Sequence, residues 1–192
     1  MSVARSDDEV TGWALAAKLG DRAAAEAFIR ATQHDVRRFV AHLTDSREAE
    51  DLAQETFLRA MRALPRFDAR SSARTWLLAI ARRVAADHVR TAMRRPRTTG
   101  SAQATTSAAE WHEGSHGFDE GVLLRSLLDD LEPARREAFV ATQVLGLSYL
   151  EAAAVCACPI GTIRSRVSRA REDLIAAYTA DQPALRAIRS MA

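Results

Sequence analysis

The stretch SYLEAAAVCACPIGTIRSRVSRAREDL, residues 148–174, constrains the fold more than any other part of the sequence. Ser148 and Glu151 have the spacing of a capping box, which predicts a short helix that runs to about Val155. Pro159 disfavours a helix through its own position, so a second helix has to begin near Gly161 or Thr162. The stretch therefore predicts two helices joined by a tight turn.

The second of these helices has an apolar face and a basic face. Its predicted buried stripe, at spacings of three and four, consists of Ile163, Val167, Ala170 and Leu174. Four arginines fall within eight residues outside that stripe, at positions 164, 166, 169 and 171. An ordinary helical hairpin does not need them, whereas a DNA-binding helix-turn-helix uses such a face in the major groove. Ala157 stands where these turns usually place glycine, which predicts a left-handed backbone at a small cost.

Positive charge is concentrated in one segment of the chain. The net charge is only +2, but residues 62–97 hold ten Arg against two Asp, which gives +8 and leaves −6 for the remainder. Residues 45–55 carry five acidic residues against Arg47, which gives −4. The arginine cluster predicts contact with nucleic-acid phosphates, although a solvated helix face would explain any single arginine.

Residues 10–95 are predicted to be helical almost throughout, because Ala, Leu, Arg and Glu dominate and Gly is sparse. We expect helices over about 22–43, 46–64 and 74–93, with Asp45 and Glu48 capping the second and Pro65 ending it. The second should bury Ala53, Phe57, Ala60, Met61 and Leu64, and the third Leu77, Ile80, Ala81, Val84 and His88.

The third helix also has a strip that suits single-stranded nucleic acid. Trp76 shares this strip with Asp87 and with three arginines at positions 83, 90 and 94. A ring face stacks on bases while the guanidinium groups contact phosphates. Burial of Trp76 in the core is an equally good interpretation of that residue.

Between the two helical blocks, residues 97–118 are rich in Gly, Ser, Thr and Ala, which predicts a flexible linker. His112, Glu113 and His116 in this segment match the HExxH pattern of zinc hydrolases, with Asp119 or Glu120 as a conceivable third ligand. That pattern works only on a packed helix, which Gly114 and Ser115 disfavour, so we interpret the match as an accident. Cys156 and Cys158, one residue apart, are expected to be partly buried thiols and neither a zinc site nor a disulfide.

Three segments, taken together, resemble one protein family. They are DLAQETFLRA (51–60), RFDARSSARTWLLAIARRVAADHVR (66–90) and the stretch 146–174. In this order and spacing they resemble an extracytoplasmic-function (ECF) sigma factor of the sigma-70-like family of bacterial RNA polymerase. The resemblance implies an all-α fold of two small domains: a sigma region 2-like helical bundle over 10–96 and a region 4-like helix-turn-helix over 119–178. The linker at 97–118 joins them, and the tail 179–192 receives no role.

The resemblance also implies roles for individual residues. The surface that binds the β′ clamp helices of the polymerase would contain Asp51, Gln54 and Glu55. The residues that contact the −10 element would be Phe67, Asp68, Arg70, Ser71, Ser72, Trp76, Arg83 and Arg90. The residues that contact the −35 element would be Arg164, Ser165, Arg166, Ser168, Arg169 and Arg171.

The function implied is that of a cytoplasmic, non-enzymatic transcription initiation factor without cofactor, metal or membrane insertion. Its partners would be core RNA polymerase, through the β′ clamp helices and the β subunit, promoter DNA, and an anti-sigma factor. One alternative is a stand-alone helix-turn-helix regulator that binds an operator as a dimer. That alternative explains residues 146–174 but not the constellation at 51–94, and the zinc hydrolase remains a remote third.

Overall fold

The computed structural model describes residues 6–94 and 125–190, with side chains as far as residue 179. These residues form helices and contain no strand, which confirms the all-α prediction. In chain order the helices are α1 (Asp7–Lys18), α2 (Arg22–Leu43), α3 (Ala49–Ala63), α4 (Ala73–Arg94), α5 (Pro133–Phe139), α6 (Tyr149–Cys156) and α7 (Ile160–Ser190). The predicted linker, the HEGSH sequence, Asp119 and Glu120 lie outside the described residues.

Helices α1 to α4 form the first half of the molecule. α2 packs against α1, α3 and α4, and α3 also packs against α4. Phe28, Phe39 and Leu77 are fully buried at the centre of this bundle. Each large side chain that is removed from water in this way contributes about 2 kcal/mol to the hydrophobic stabilisation of the fold.

The start of α3 differs from the predicted capping box. Asp45 accepts a hydrogen bond from the Arg47 amide at 3.1 Å, and this contact begins a tight 3₁₀ turn over Ser46–Glu48. The α-helix then begins at Ala49, without a side-chain cap. Glu48 does not cap the helix; its carboxylate lies 2.5 Å from His88 Nε2 on α4. The Glu48 side chain therefore links the start of α3 to α4 and does not cap the terminus of α3.

Ala53, Ala60 and Leu64 are buried as predicted, but the buried stripe of α3 is rotated slightly from the predicted one. Leu52 and Thr56 are buried, whereas Phe57 and Met61, which were expected inside, are only half-buried. The rotation follows from the position of α3, which packs against both α2 and α4. Thr56 is tolerated in the core because its hydroxyl donates to the Leu52 carbonyl at 2.7 Å.

The second half begins with helical residues 125–129 and continues with α5, which Pro133 opens at its first turn. The π-helical turn Val140–Val144 extends α5, and Gly146 ends it with a positive φ of 71°. Helices α6 and α7 then pack on α5. α7 runs to Ser190, well beyond the predicted helix-turn-helix, so the residues of the tail up to Ser190 are helical.

The two halves pack against each other. α4 lies against α6, and α2 lies against α5. Arg82 of α4 forms an ion pair with Glu137 of α5, and Arg74 Nη2 donates to the Leu145 carbonyl at 2.6 Å. Leu78, on the same face of α4 as these two arginines, is 1% exposed and was not among the predicted core residues.

None of the helices in the described part of the chain has the length and apolar character that crossing a bilayer requires.

Candidate promoter and polymerase interface

The turn between α6 and α7 has the geometry that its sequence predicts. The Glu151 amide donates to Ser148 Oγ at 3.2 Å and the Ser148 amide donates to Glu151 Oε2 at 2.8 Å, which forms the reciprocal capping box. Ala157 adopts left-handed backbone angles, φ 51° and ψ 46°. The amide of Cys158 donates to the Ala153 carbonyl at 3.1 Å, so the turn satisfies the last carbonyls of α6.

The first turns of α7 present a basic and polar face to solvent. Ile163, Val167 and Ala170 are buried, as predicted, and Leu174 is half-buried. The exposed residues on the other side are Arg164, Ser165, Ser168, Arg169 and Arg171. Because the apolar stripe holds the helix against α5 and α6, these side chains project away from the rest of the domain.

Several of these polar side chains already have partners. Arg171 Nη2 donates to Gln143 Oε1 at 2.8 Å, and Ser168 Oγ donates to Glu172 Oε1 at 3.1 Å. Arg166 is half-buried, with its guanidinium 3.6 Å from Cys158 Sγ. Arg164 and Arg169 form no ion pair within residues 6–94 and 125–179, so their guanidinium groups are available to a ligand.

The loop between α3 and α4 combines a buried anchor with an exposed tip. The Phe67 ring is 3% exposed and lies 4.9 Å from the Trp76 ring, centroid to centroid. Asp68, Ala69 and Arg70 are exposed, and Ala69 has a positive φ of 57°. Phe67 is thus part of the core in this structure, whereas the side chains that follow it face solvent.

The predicted nucleic-acid strip of α4 is only partly free. Arg83 and Arg90 are exposed, but Trp76 is half-buried by its contact with Phe67. Asp87 accepts hydrogen bonds from Arg59 at 3.0 Å and from Arg90, and these bonds lower the pKa of its carboxyl. Asp87 therefore compensates part of the positive charge of the strip.

The polar face of α3 carries the residues expected to bind polymerase. Asp51 and Gln54 are exposed, and Glu55 is half-buried. Glu55 accepts from Arg59 Nε at 2.7 Å, and Arg59 joins this face to Asp87 of α4. Arg59 is not among the residues predicted for this face, although its spacing of four from Glu55 on a helix is a signal for that pair.

Cys156 and Cys158 are free thiols, one buried and one half-buried. Burial, followed by the nearby Glu137, raises the pKa of Cys156 to about 12, so this thiol is unreactive near neutral pH. Within the described ranges no cluster of three or more His, Cys, Asp or Glu side chains could hold a metal ion. The burial of Cys156 fits the expectation of a structural thiol.

Comparisons with known proteins cover both halves of the chain. A family model for sigma-70 region 2 matches residues 28–95, and one for sigma-70 region 4 matches residues 121–174. The ECF RNA polymerase sigma factor SigC of Mycobacterium tuberculosis is 56% identical over 177 residues, which cover 92% of this chain and 95% of SigC. This chain belongs to the ECF sigma factors. The ECF RNA polymerase sigma-E factor of Escherichia coli K12 is 33% identical to this sigma factor and covers 80% of it.

Solved structures of related proteins have the same fold as this sigma factor. The sigma factor RpoE of Bartonella quintana, solved in complex with the anti-sigma factor NepR, superposes with a TM-score of 0.69 at 29% identity, over 81% of this chain and 97% of that one. CnrH, solved with the cytosolic domain of CnrY, also gives a TM-score of 0.69, at 25% identity over 92% of this chain and 99% of that one.

Membership of the family explains both the helix-turn-helix and the motifs within residues 51–94. The alternative of a stand-alone regulator explained only the helix-turn-helix. This sigma factor is a transcription initiation factor, as the sequence motifs predicted.

Proposed function

We propose that this sigma factor binds core RNA polymerase and directs it to promoters by reading the −35 duplex with α7 and by melting and reading the −10 element with the α3–α4 loop and α4. The polymerase supplies the catalysis, and this chain supplies recognition without being an enzyme itself. It works in the cytoplasm, where the polymerase and the chromosome are.

The exposed face at the start of α7 is the observation that carries this proposal. Arg164 and Arg169 are exposed beside Ser165 and Ser168. The N-terminal end of α7 is positioned by the capped helix α6 and by the left-handed turn at Ala157. Arginine recognises guanine through two hydrogen bonds in the major groove, and serine bonds to base edges or phosphates. Arg166 and Arg171, each held by a neighbour, are suited to backbone contacts that fix the register.

The α3–α4 loop is proposed to receive bases of the −10 element after they leave the duplex. Asp68 and Arg70 offer hydrogen-bonding groups at its surface, Ser71 and Ser72 are half-buried beside them, and Phe67 anchors the loop in the core. Flipping a base out costs a few kcal/mol, which stacking and hydrogen bonds in a protein pocket can offset. Trp76 sits under this loop, while Arg83 and Arg90 lie farther along α4 for the phosphates of the melted strand.

Polymerase binding is assigned to the polar face of α3, where Asp51, Gln54 and Glu55 would contact the β′ clamp helices. The second half would contact the β subunit. Tethering both halves to one polymerase raises the effective concentration of each DNA-binding surface, so neither needs high affinity alone. We also propose that an anti-sigma factor binds this chain, as NepR binds the Bartonella quintana protein.

Two alanine variants separate these surfaces in a run-off transcription assay with core polymerase on a random-promoter library. Arg169→Ala is expected to reduce transcription from the selected promoter about 5- to 150-fold, the effect of about 1–3 kcal/mol for one base contact, with core binding intact. Glu55→Ala should have the opposite effect, because it should weaken binding to core polymerase before it affects promoter recognition. Glu26→Ala, which removes an exposed acid from α2, serves as the control.

If Arg169→Ala lost core binding to the same extent as transcription, the assignment of the α7 surface to DNA would be wrong. Sequence-specific DNA binding that needs no polymerase would favour the stand-alone regulator instead.

A further inference from the structure

Helix α1 precedes the residues 28–95 that the region 2 model matches. It packs against α2 and α4. Two of its side chains, Lys18 and Thr11, reach the α3–α4 loop, one at each end of it. The loop is the segment to which the proposed function assigns the −10 bases.

Lys18 fixes the beginning of the loop. Its Nζ donates to the Phe67 carbonyl at 2.7 Å, across 49 positions of sequence. The Phe67 ring is buried below that carbonyl, so the residue is held from both its side chain and its backbone. Lys18 is the one lysine among the 27 basic residues of the chain. A hydrogen bond from an ammonium group is stronger than one between neutral groups.

Thr11 fixes the end of the loop. The amide of Ala73, the first residue of α4, donates to Thr11 Oγ1 at 3.0 Å, and the Thr11 hydroxyl donates to the Asp7 carbonyl at 2.7 Å. Amides at a helix start have no partner within their own helix, so Thr11 supplies one that α4 lacks. Ser72 adds a local cap by accepting from the Thr75 amide at 3.2 Å.

Among the residues that the structure describes, the tip of the loop makes local polar contacts only. Asp68 Oδ1 accepts from the Arg70 amide at 3.3 Å, and Asp68 also pairs with the Arg70 guanidinium at 2.7 Å. The Arg70 side chain is 88% exposed and that of Asp68 53% exposed. Ala69 between them has a left-handed backbone, which turns the chain sharply. The loop therefore has two ends held by α1 and a tip that is open to solvent.

We propose that Lys18 and Thr11 are positioning residues for recognition of the −10 element, and that α1 holds the two ends of the base-receiving loop in place. This inference rests on the proposed function of the loop. A loop that is already ordered before DNA arrives loses less conformational entropy on binding and keeps its hydrogen-bonding groups in fixed directions. Its loosening should reduce discrimination between bases more than it reduces overall promoter affinity.

The experiment compares two variants with the wild type: Lys18→Met, which keeps most of the unbranched side chain, and Thr11→Val, which replaces the hydroxyl by a methyl group. Run-off transcription is measured with core polymerase on the selected promoter and on the same promoter with substituted −10 bases. Arg22→Met is the matched control, because it removes one positive charge four positions from Lys18 and its side chain is 94% exposed. Lys18→Arg tests rescue by another cation.

Both variants are expected to lower the ratio of transcription from the selected and the substituted promoter about tenfold. Affinity for core polymerase and the dependence of promoter binding on salt should stay at wild-type values. Arg22→Met should match the wild type, and Lys18→Arg should restore most of the ratio. Amide hydrogen exchange at residues 67–73 should rise in both variants in the absence of DNA.

A different pattern overturns the proposal. If Lys18 contacts a phosphate instead, Lys18→Met will weaken binding equally for all −10 sequences and reduce the salt slope by about one. A wild-type ratio in Thr11→Val, or unchanged hydrogen exchange in both variants, also refutes the positioning role. Should Lys18→Met fail to fold, Thr11→Val and Thr11→Ser decide the question.

Failure of the underlying function has a separate signature. Asp68→Ala and Arg70→Ala at the loop tip should each change −10 discrimination in the otherwise wild-type chain. If neither does, the loop is not the reader of the −10 element. Hydrogen exchange that still rises in Lys18→Met and Thr11→Val would then show that α1 orders the loop for another purpose.

Discussion

His42 is a titratable side chain in an environment that opposes its charged form. It lies near the end of α2, half-buried, and its Nδ1 is buried without a hydrogen-bond partner in the described part of the chain. Burial, with the positive charges of Arg125, Arg38 and Arg136, lowers the pKa of His42 to about 4. The side chain is therefore neutral in the folded protein at pH 7.

This environment predicts a loss of stability in mild acid. In the unfolded chain His42 has a pKa of about 6.5. Below that pH the unfolded chain therefore binds a proton at His42, whereas the folded chain does not until the pH approaches 4. The stabilisation is complete above pH 6.5 and is lost as the pH falls towards 4, by up to about 2 kcal/mol once solvent screening is allowed for. Free energies from urea unfolding at pH 7 and pH 4.5 should differ by more in the wild type than in His42→Leu. Equal differences would mean that His42 titrates normally.

Helix α4 uses two of its faces for different contacts. One face carries Arg83 and Arg90 at the surface, and the other carries Arg74, Leu78 and Arg82 against the second half of the molecule. Glu137, the partner of Arg82, is 8% exposed. Burial raises the pKa of the Glu137 carboxyl, and the hydrogen bond from Arg82 opposes that shift.

The Arg82–Glu137 pair predicts strong coupling between its two members. Arg82→Met leaves a buried carboxylate without its cation, which should lower the free energy of unfolding by about 2–3 kcal/mol. The double variant Arg82→Met, Glu137→Met replaces the pair by apolar side chains and should recover most of that loss. Urea unfolding of the four proteins in this cycle measures the coupling. Additive effects of the two substitutions would show that the pair contributes little.

The same helix shows what local sequence does and does not predict. Both ends of α4 were predicted to within about a residue. Pro65 and the polar loop that precedes α4 are local signals for the start of this helix. Leu78 was missed, since its burial depends on helices that lie more than 50 residues away in the chain. The burial of Phe57 was predicted wrongly for a similar reason. α3 packs against both α2 and α4, and the apolar stripe in its sequence does not show which of these helices buries more of its surface. Ala157 was predicted correctly, since its backbone follows from the turn alone.

The two halves of the described chain are packed together, since α4 lies against α6 and α2 lies against α5. A packed domain of this size has a radius of gyration of about 15 Å. DNA elements centred about 25 base pairs apart are separated by about 85 Å along the helix axis. The proposed contacts with the −10 and −35 elements therefore predict that the contact between α4 and α6 is lost when both halves bind one promoter.

Core polymerase is expected to separate the halves. Dyes attached at Arg30→Cys and Glu172→Cys, with both native cysteines replaced by alanine, should show high energy transfer in the free protein and a large decrease when core polymerase is added. A second pair within the first half, Arg30→Cys and Arg62→Cys, should show no change. Unaltered transfer between positions 30 and 172 at saturating polymerase would mean that the packed arrangement persists in the holoenzyme.

The hydrogen bond from Lys18 to the Phe67 carbonyl makes one amine a natural reporter for the loop. Since the chain has a single lysine, amine-directed acylation can modify only Lys18 and the N-terminal amine, and its rate at Lys18 measures how often that contact opens. A lysine-specific protease likewise has one cleavage site, after Lys18, and a cut there would divide α1 from the rest of the polypeptide while leaving every other peptide bond intact.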